Sequence, residues 1–146
     1  MAHTDLNALK DALLPTAKQM LSLHGEFFPF GALMKLNGEI VDCIAHTESE
    51  HPPSKKLIEI LIEDFRERAS RGEVRAAGIC SDVRVARQGQ QEKVDAVQFA
   101  LEHQNGEAVD VFLPYDLDSA GEVRYGELFA VRRERVFFSG SVSNEP

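Results

Sequence analysis

Basic residues are in short supply: 16 Lys and Arg stand against 24 Asp and Glu, a formal net charge of −8. Nucleic-acid backbones are held by clustered Lys and Arg, so no nucleic-acid partner is expected. The one short basic run, Arg132, Arg133 and Arg135, is diluted by Glu127 and Glu134. Cysteine is equally scarce. Cys43 and Cys80 each stand alone in an apolar stretch, without C-x-x-C spacing. They read as small buried hydrophobes and not as metal ligands or a disulfide. No apolar run approaches the length of a membrane span, so no membrane partner is expected. The first residues lack a signal peptide's basic region and apolar core, which makes the cytoplasm the expected location. P-loops, G-x-G-x-x-G after a strand and G-x-S-x-G elbows are all missing, which removes the local signs of nucleotide binding and of an α/β-hydrolase nucleophile. No cofactor is expected, and the catalytic residues, if any, are unknown.

What the chain does have is pattern. Pro52-Pro53 leads to Ser54 as an N-cap, and residues 55–71 then carry Leu57, Ile58, Leu61, Ile62, Phe65 and Ala69 at helical spacing. Gly72 supplies the stop. Asp64 with Arg68 and Glu67 with Arg71 sit four apart in the favourable acid-before-base order. An earlier helix capped by Thr4 or Asp5 runs through Leu6, Leu9, Leu13, Ala17 and Leu21 to Gly25. Pro15 predicts a kink in it, or a break into two helices.

Two Asn-Gly dipeptides predict β-hairpins with two-residue type I′ turns. The first joins residues 28–36 to 39–46, placing Met34 opposite Val41 and Ala32 opposite Cys43. The second joins residues 94–103 to 108–115, with His103 facing Ala108 and diagonal to Asp110. Between them, residues 74–86 read as a strand whose small Ala76, Ala77 and Gly78 invite a close approach by a helix or a ligand. Residues 123–138 alternate only in part, with a turn or bulge at Arg132-Arg133. The expectation is an α+β fold: an antiparallel sheet of about five strands with two main helices, in the order α-β-β-α-β-β-β. Residues 1–138 are expected to form a single globular domain, and residues 139–146 a flexible tail.

This element order resembles the profilin-like and roadblock-like topologies. The phrases Gly25-Glu26-Phe27-Phe28-Pro29-Phe30-Gly31, His51-Pro52-Pro53-Ser54 and Phe112-Leu113-Pro114-Tyr115 resemble those of an uncharacterised family of small bacterial proteins. That resemblance implies a soluble single-domain protein and supplies no activity.

Three constellations bear on function. His46 and His51, with Glu48 and Glu50 between them, have the residue types of a divalent-metal site, but no helical spacing fixes them and a polar loop leading into the helix explains the same residues. Cys80, Ser81-Asp82 and the His103/Asp110 pair have the types needed for hydrolysis, without any local signature to join them. Phe27, Phe28 and Phe30, and again Phe137 and Phe138, are aromatic clusters that serve as core or, if exposed, as an interface. The reading favoured by this inventory is a protein-interaction module that self-associates, as a homodimer, or engages another protein. The alternative is a small-molecule- or metal-binding domain, or a small enzyme, with a pocket near residues 76–78.

Overall fold

The computed structural model describes residues 2–45, 47, 50–86 and 89–138. Helix α1 (Ala2–His24) precedes β1 (Phe30–Lys35) and β2 (Ile40–Cys43). Helix α2 (Ser54–Ser70) follows, and then come β3 (Val74–Ala86), β4 (Lys93–His103), β5 (Ala108–Leu117), β6 (Val123–Tyr125) and β7 (Phe129–Arg132). All pairings are antiparallel, in the order β2-β1-β3-β4-β5-β6, with β7 also on β5. The fold is α+β, with seven strands where about five were expected. The extra ones are β6 and β7, which divide the outer edge of β5 between residues 115–117 and 109–112.

The helices cover opposite faces of the sheet. Leu6, Leu9, Leu13, Ala17 and Leu21 of α1 pack on Ala32, Met34, Val97, Phe99 and Leu101. Leu61 and Phe65 of α2 pack on Leu33, Val74, Ala77 and Ile79. Alternation along β3 explains why small residues are needed there: Ala76 serves one core and Ala77 the other. Gly78 lies under Leu13 and Leu101, whose methyls would stand 3.3 and 2.8 Å from a Cβ. A side chain of α1 therefore fills the gap, and the pocket expected beside residues 76–78 is closed. Among the described residues, no helix is long and apolar enough to cross a membrane.

Several local expectations are corrected. Helix α1 runs unbroken through Pro15. An interior proline costs ~3 kcal/mol or more, but the four buried leucines spread along α1 exceed that at roughly 1.5–3 kcal/mol each. Asp5 lies within the first turn of α1 instead of capping it, and Ser54 is the first residue of α2. Pro53 takes the N-cap position of α2, with extended backbone and no side-chain cap.

The two hairpin turns are not type I′, because Asn37 and Asn105 keep negative φ; the only positive values among the described residues belong to glycine. Each turn is instead a type I turn followed by a bulged glycine. Gly38 N–H donates to Lys35 C=O (2.9 Å) and Lys35 N–H to Glu39 C=O (2.8 Å). Gly106, His103 and Glu107 repeat the arrangement at 3.0 and 2.8 Å. In both turns the Asn Oδ1 accepts the N–H of the following Glu, at 2.9 and 3.0 Å, which favours this conformation. The bulge shifts the first hairpin by one residue, so Met34 faces Ile40, Leu33 faces Val41 and Ala32 faces Asp42. Cys43 thereby joins the α2 face, opposite Gly31.

The end of α2 is as expected. Gly72 (φ 70°) donates to Ala69 C=O and Glu73 to Arg68 C=O, the paired bonds of a Schellman motif. The Asp64–Arg68 and Glu67–Arg71 pairs form, each at 3.1 Å. Nothing lies within 4 Å of a Cβ added at Gly72, so Gly72→Ala tests backbone conformation alone. It is expected to lower unfolding free energy by about 1 kcal/mol in urea denaturation. A stabilised variant would contradict the left-handed geometry.

Candidate functional site

The buried polar groups of this fold fasten chain segments together. His103 lies under the N-terminal turn of α1. Its Nδ1 accepts the Asn105 N–H (3.1 Å), so the ring proton sits on Nε2, which donates to Asp5 Oδ2 (2.9 Å). Asp5 Oδ1 accepts from Arg75 Nη2 (3.0 Å), and Arg75 also reaches Leu36 C=O (3.1 Å) and Met34 Sδ (3.2 Å). Burial by itself would raise the Asp5 carboxyl, but the His103 and Arg75 hydrogen bonds and the Arg75 charge hold it below the usual carboxylate range. With both ring nitrogens engaged, His103 ties α1 to the β4–β5 turn and is not placed to take a proton from a substrate, while Arg75 ties Asp5 to the β1–β2 turn.

The expected His103/Asp110 contact does not form. Asp110 is in register with Ala100, beside Glu102, on the face of the sheet opposite His103. Cys80 pairs with Phe99, and His103 lies four residues farther along β4, about 13 Å away. Burial pushes the Cys80 thiol well up, and Asp82 adds to the shift. Ser81 is buried in register with Gln98. The residue types suggested for hydrolysis are thus distributed over two faces.

Glu102 is the most enclosed carboxylate among the described residues, at 0 % exposure. Its Oε2 accepts from Arg133 Nη1 (2.6 Å) and Val136 N–H (2.7 Å); its Oε1 accepts from Phe137 N–H (2.8 Å) and Phe138 N–H (3.2 Å). Arg133 Nε stands 3.1 Å from Asp110 Oδ1, and Arg66 Nε donates to Val136 C=O (2.7 Å). Residues 133–138, expected to continue a strand, instead cross the α2 face. There Phe137 meets Phe65 edge-to-face at 5.4 Å, as a core reading of Phe137 and Phe138 requires. The expected tail, residues 139–146, lies outside the described residues.

The accessible site is at the other aromatic cluster. Gly25 (φ 74°) ends α1, and residues 26–29 run to β1 without regular secondary structure. Asp82 accepts the Tyr115 O–H (2.6 Å) and the Phe27 N–H, which holds this connection against β3. Phe27 packs edge-to-face on Phe30 (5.8 Å), while Phe28 turns outward and stays 52 % exposed. Together they floor a groove of about 650 Å³. Met20 and His24 of α1 form one wall; Asp42, Cys43 and Ile44 form the other; His51 and Ser54 close the end. A second cleft of about 680 Å³, near β6, mixes Arg84, Lys93 and Arg124 with Asp95, Asp116 and Glu127. Its charges largely answer one another, as in the Arg124–Asp116 pair at 3.7 Å.

Of the metal candidates, His46 lies outside the described residues and His51 is an exposed part of the groove. Among the described residues no group of three or more His, Cys, Asp or Glu is placed to hold a metal ion. The groove itself was missed in the sequence. The Phe27–Phe30 cluster was its visible part, but the walls come from residues far apart in the chain. No family model, curated protein or solved structure matches this chain.

Proposed function

We propose that this chain is a cytoplasmic, non-enzymatic interaction module that self-associates as a homodimer through the outer edge of β2. The observation that supports this reading is the asymmetry of the sheet edges. The edge of β5 is covered by β6 and β7, whereas β2 pairs only with β1 among the described residues. The Lys35–Glu39 bond sets the alternation of the ladder: the backbone of Val41 and Cys43 faces β1, and that of Ile40 and Asp42 faces outward. Exposed apolar residues, Leu36 (53 %) and Ile44 (68 %), flank the strand at its two ends. Strand addition by a second copy would satisfy the outward groups and cover those side chains.

Light scattering on a size-exclusion column tests the proposal. The wild type is expected at twice its monomer mass, and Leu36→Asp combined with Asp42→Pro at monomer mass. The proline removes an outward donor and leaves the β1–β2 ladder bonds in place. A wild type that stays monomeric at all accessible concentrations, or a double variant that stays dimeric, would rule out this edge.

A second reading, a small-molecule-binding domain, is favoured by the groove. Its volume is within the roughly 300–1,000 Å³ of ligand sites, and it combines apolar walls with few polar groups.

A further inference from the structure

We infer that the groove between α1, residues 26–30 and the end of β2 is a binding site for a small organic cation with an apolar body, such as a substituted ammonium. The inference rests on the ligand-binding reading of the groove and does not depend on strand pairing at β2. Its first support is the charge of the walls. Glu26 and Asp42 line the groove, and no Lys or Arg does. Both carboxylates are exposed, and neither is in an ion pair among the described residues. A cation brought between them gains attraction without first displacing an ion-pair partner among the described residues, whereas an anion meets repulsion.

The second support is the aromatic floor. Phe faces attract a cation through the ring quadrupole, and the exposed Phe28 ring is available for that contact. Phe27 and Phe30 are already locked edge-to-face, so the floor loses little freedom on binding. Behind the floor the field has the same sign. The Asp82 carboxyl, hydrogen-bonded to the Phe27 N–H, is raised by burial first, with the charges of Asp95 and Glu26 adding to it. Met20 and Ile44 offer apolar walls for the body of the ligand. Carboxylates, aromatic face and apolar walls converge from three separate parts of the chain.

The test is a two-dimensional amide NMR titration of the full chain at pH 7.5 with three probes of similar size. These are benzyltrimethylammonium, benzyl alcohol and benzoate. The expected result is saturable shifts for residues 26–30 and 42–44 with benzyltrimethylammonium, and much weaker effects from the other two. Glu26→Gln with Asp42→Asn should weaken cation binding by about tenfold or more, and Phe28→Ala should weaken it as well. These residues are exposed, so the variants are expected to keep the wild-type spectrum elsewhere. Equal binding of benzyl alcohol or benzoate would overturn the cation assignment and leave a groove for ligands. Absence of saturable shifts with all three would overturn the ligand reading too. Shifts at residues 26–30 on simple dilution, without probe, would mean that a second copy fills the groove, and would also overturn it.

Discussion

Glu102→Ala is expected to lower unfolding free energy by about 3–5 kcal/mol, the range for removing one partner of a buried ionic contact. Two limits converge on that range. If residues 133–138 stay in place, Arg133 loses its closest partner and the N–H groups of Val136, Phe137 and Phe138 lose their acceptor. Each buried donor left unpaired costs about 1–3 kcal/mol. If the segment lifts away instead, the sheet loses the burial of Phe137 and Phe138, about 1.5–3 kcal/mol each. Urea denaturation gives the total, and hydrogen exchange at residues 136–138 tells which limit applies. Glu102→Gln keeps the volume but turns an amide donor toward some of these N–H groups, so an intermediate loss is expected. A loss below about 1 kcal/mol for the alanine variant would refute the anchoring role.

Asp5→Ala carries the next largest effect, about 2–3 kcal/mol, because it removes two charge-assisted hydrogen bonds near the first turn of α1. The Nε2–H of His103 is then buried without its acceptor, while Arg75 keeps Leu36 C=O and Met34 Sδ. Asp5→Asn separates charge from hydrogen bonding, since its amide oxygen can still accept. The pH dependence has a definite sign. The folded Asp5 carboxyl titrates below its unfolded value, so its charge contributes stability above the ordinary carboxylate range. That contribution is lost as pH falls through the folded value. The stability difference between wild type and Asp5→Asn is therefore expected to be constant near neutrality and to shrink below about pH 4. The wild type alone is a poor readout, because burial raises Asp82 and Asp110 and their protonation pulls the other way in acid. A difference that is flat down to pH 2 would show that the Asp5 charge is not the source.

Both predictions concern residues that looked unremarkable in the sequence. Glu102 stands next to His103 near a hairpin turn, where a carboxylate usually meets solvent, and Asp5 looked like a helix cap. Their partners are 31 to 36 residues away for Glu102 and 70 and 98 away for Asp5. Local pattern carries no trace of such pairings. A two-residue turn places His103 diagonal to Asp110, but the actual turn is one residue longer, so Asp110 faces Ala100 and His103 meets Asp5. Asn-Gly permits both a type I′ turn and a type I turn with a bulged glycine, and the Asn side chain of this chain favours the second. One residue of slip exchanges the faces of a strand.

The residues by themselves determined the elements and the fold class: the apolar stripes of α1 and α2, the stop at Gly72, the Asn-Gly hairpins and the small-residue run in β3. Those features follow from backbone sterics and from periodicities of 3.6 and 2, which act over a few neighbours. Tertiary structure alone decided that α1 passes through Pro15, that residues 133–138 leave the sheet, and that buried carboxylates hold residues 133–138 and the first turn of α1. It also decided that an aromatic groove opens beside β2. Each depends on energies of several kcal/mol gathered from segments distant in the chain, large enough to override a local preference and invisible until those segments meet.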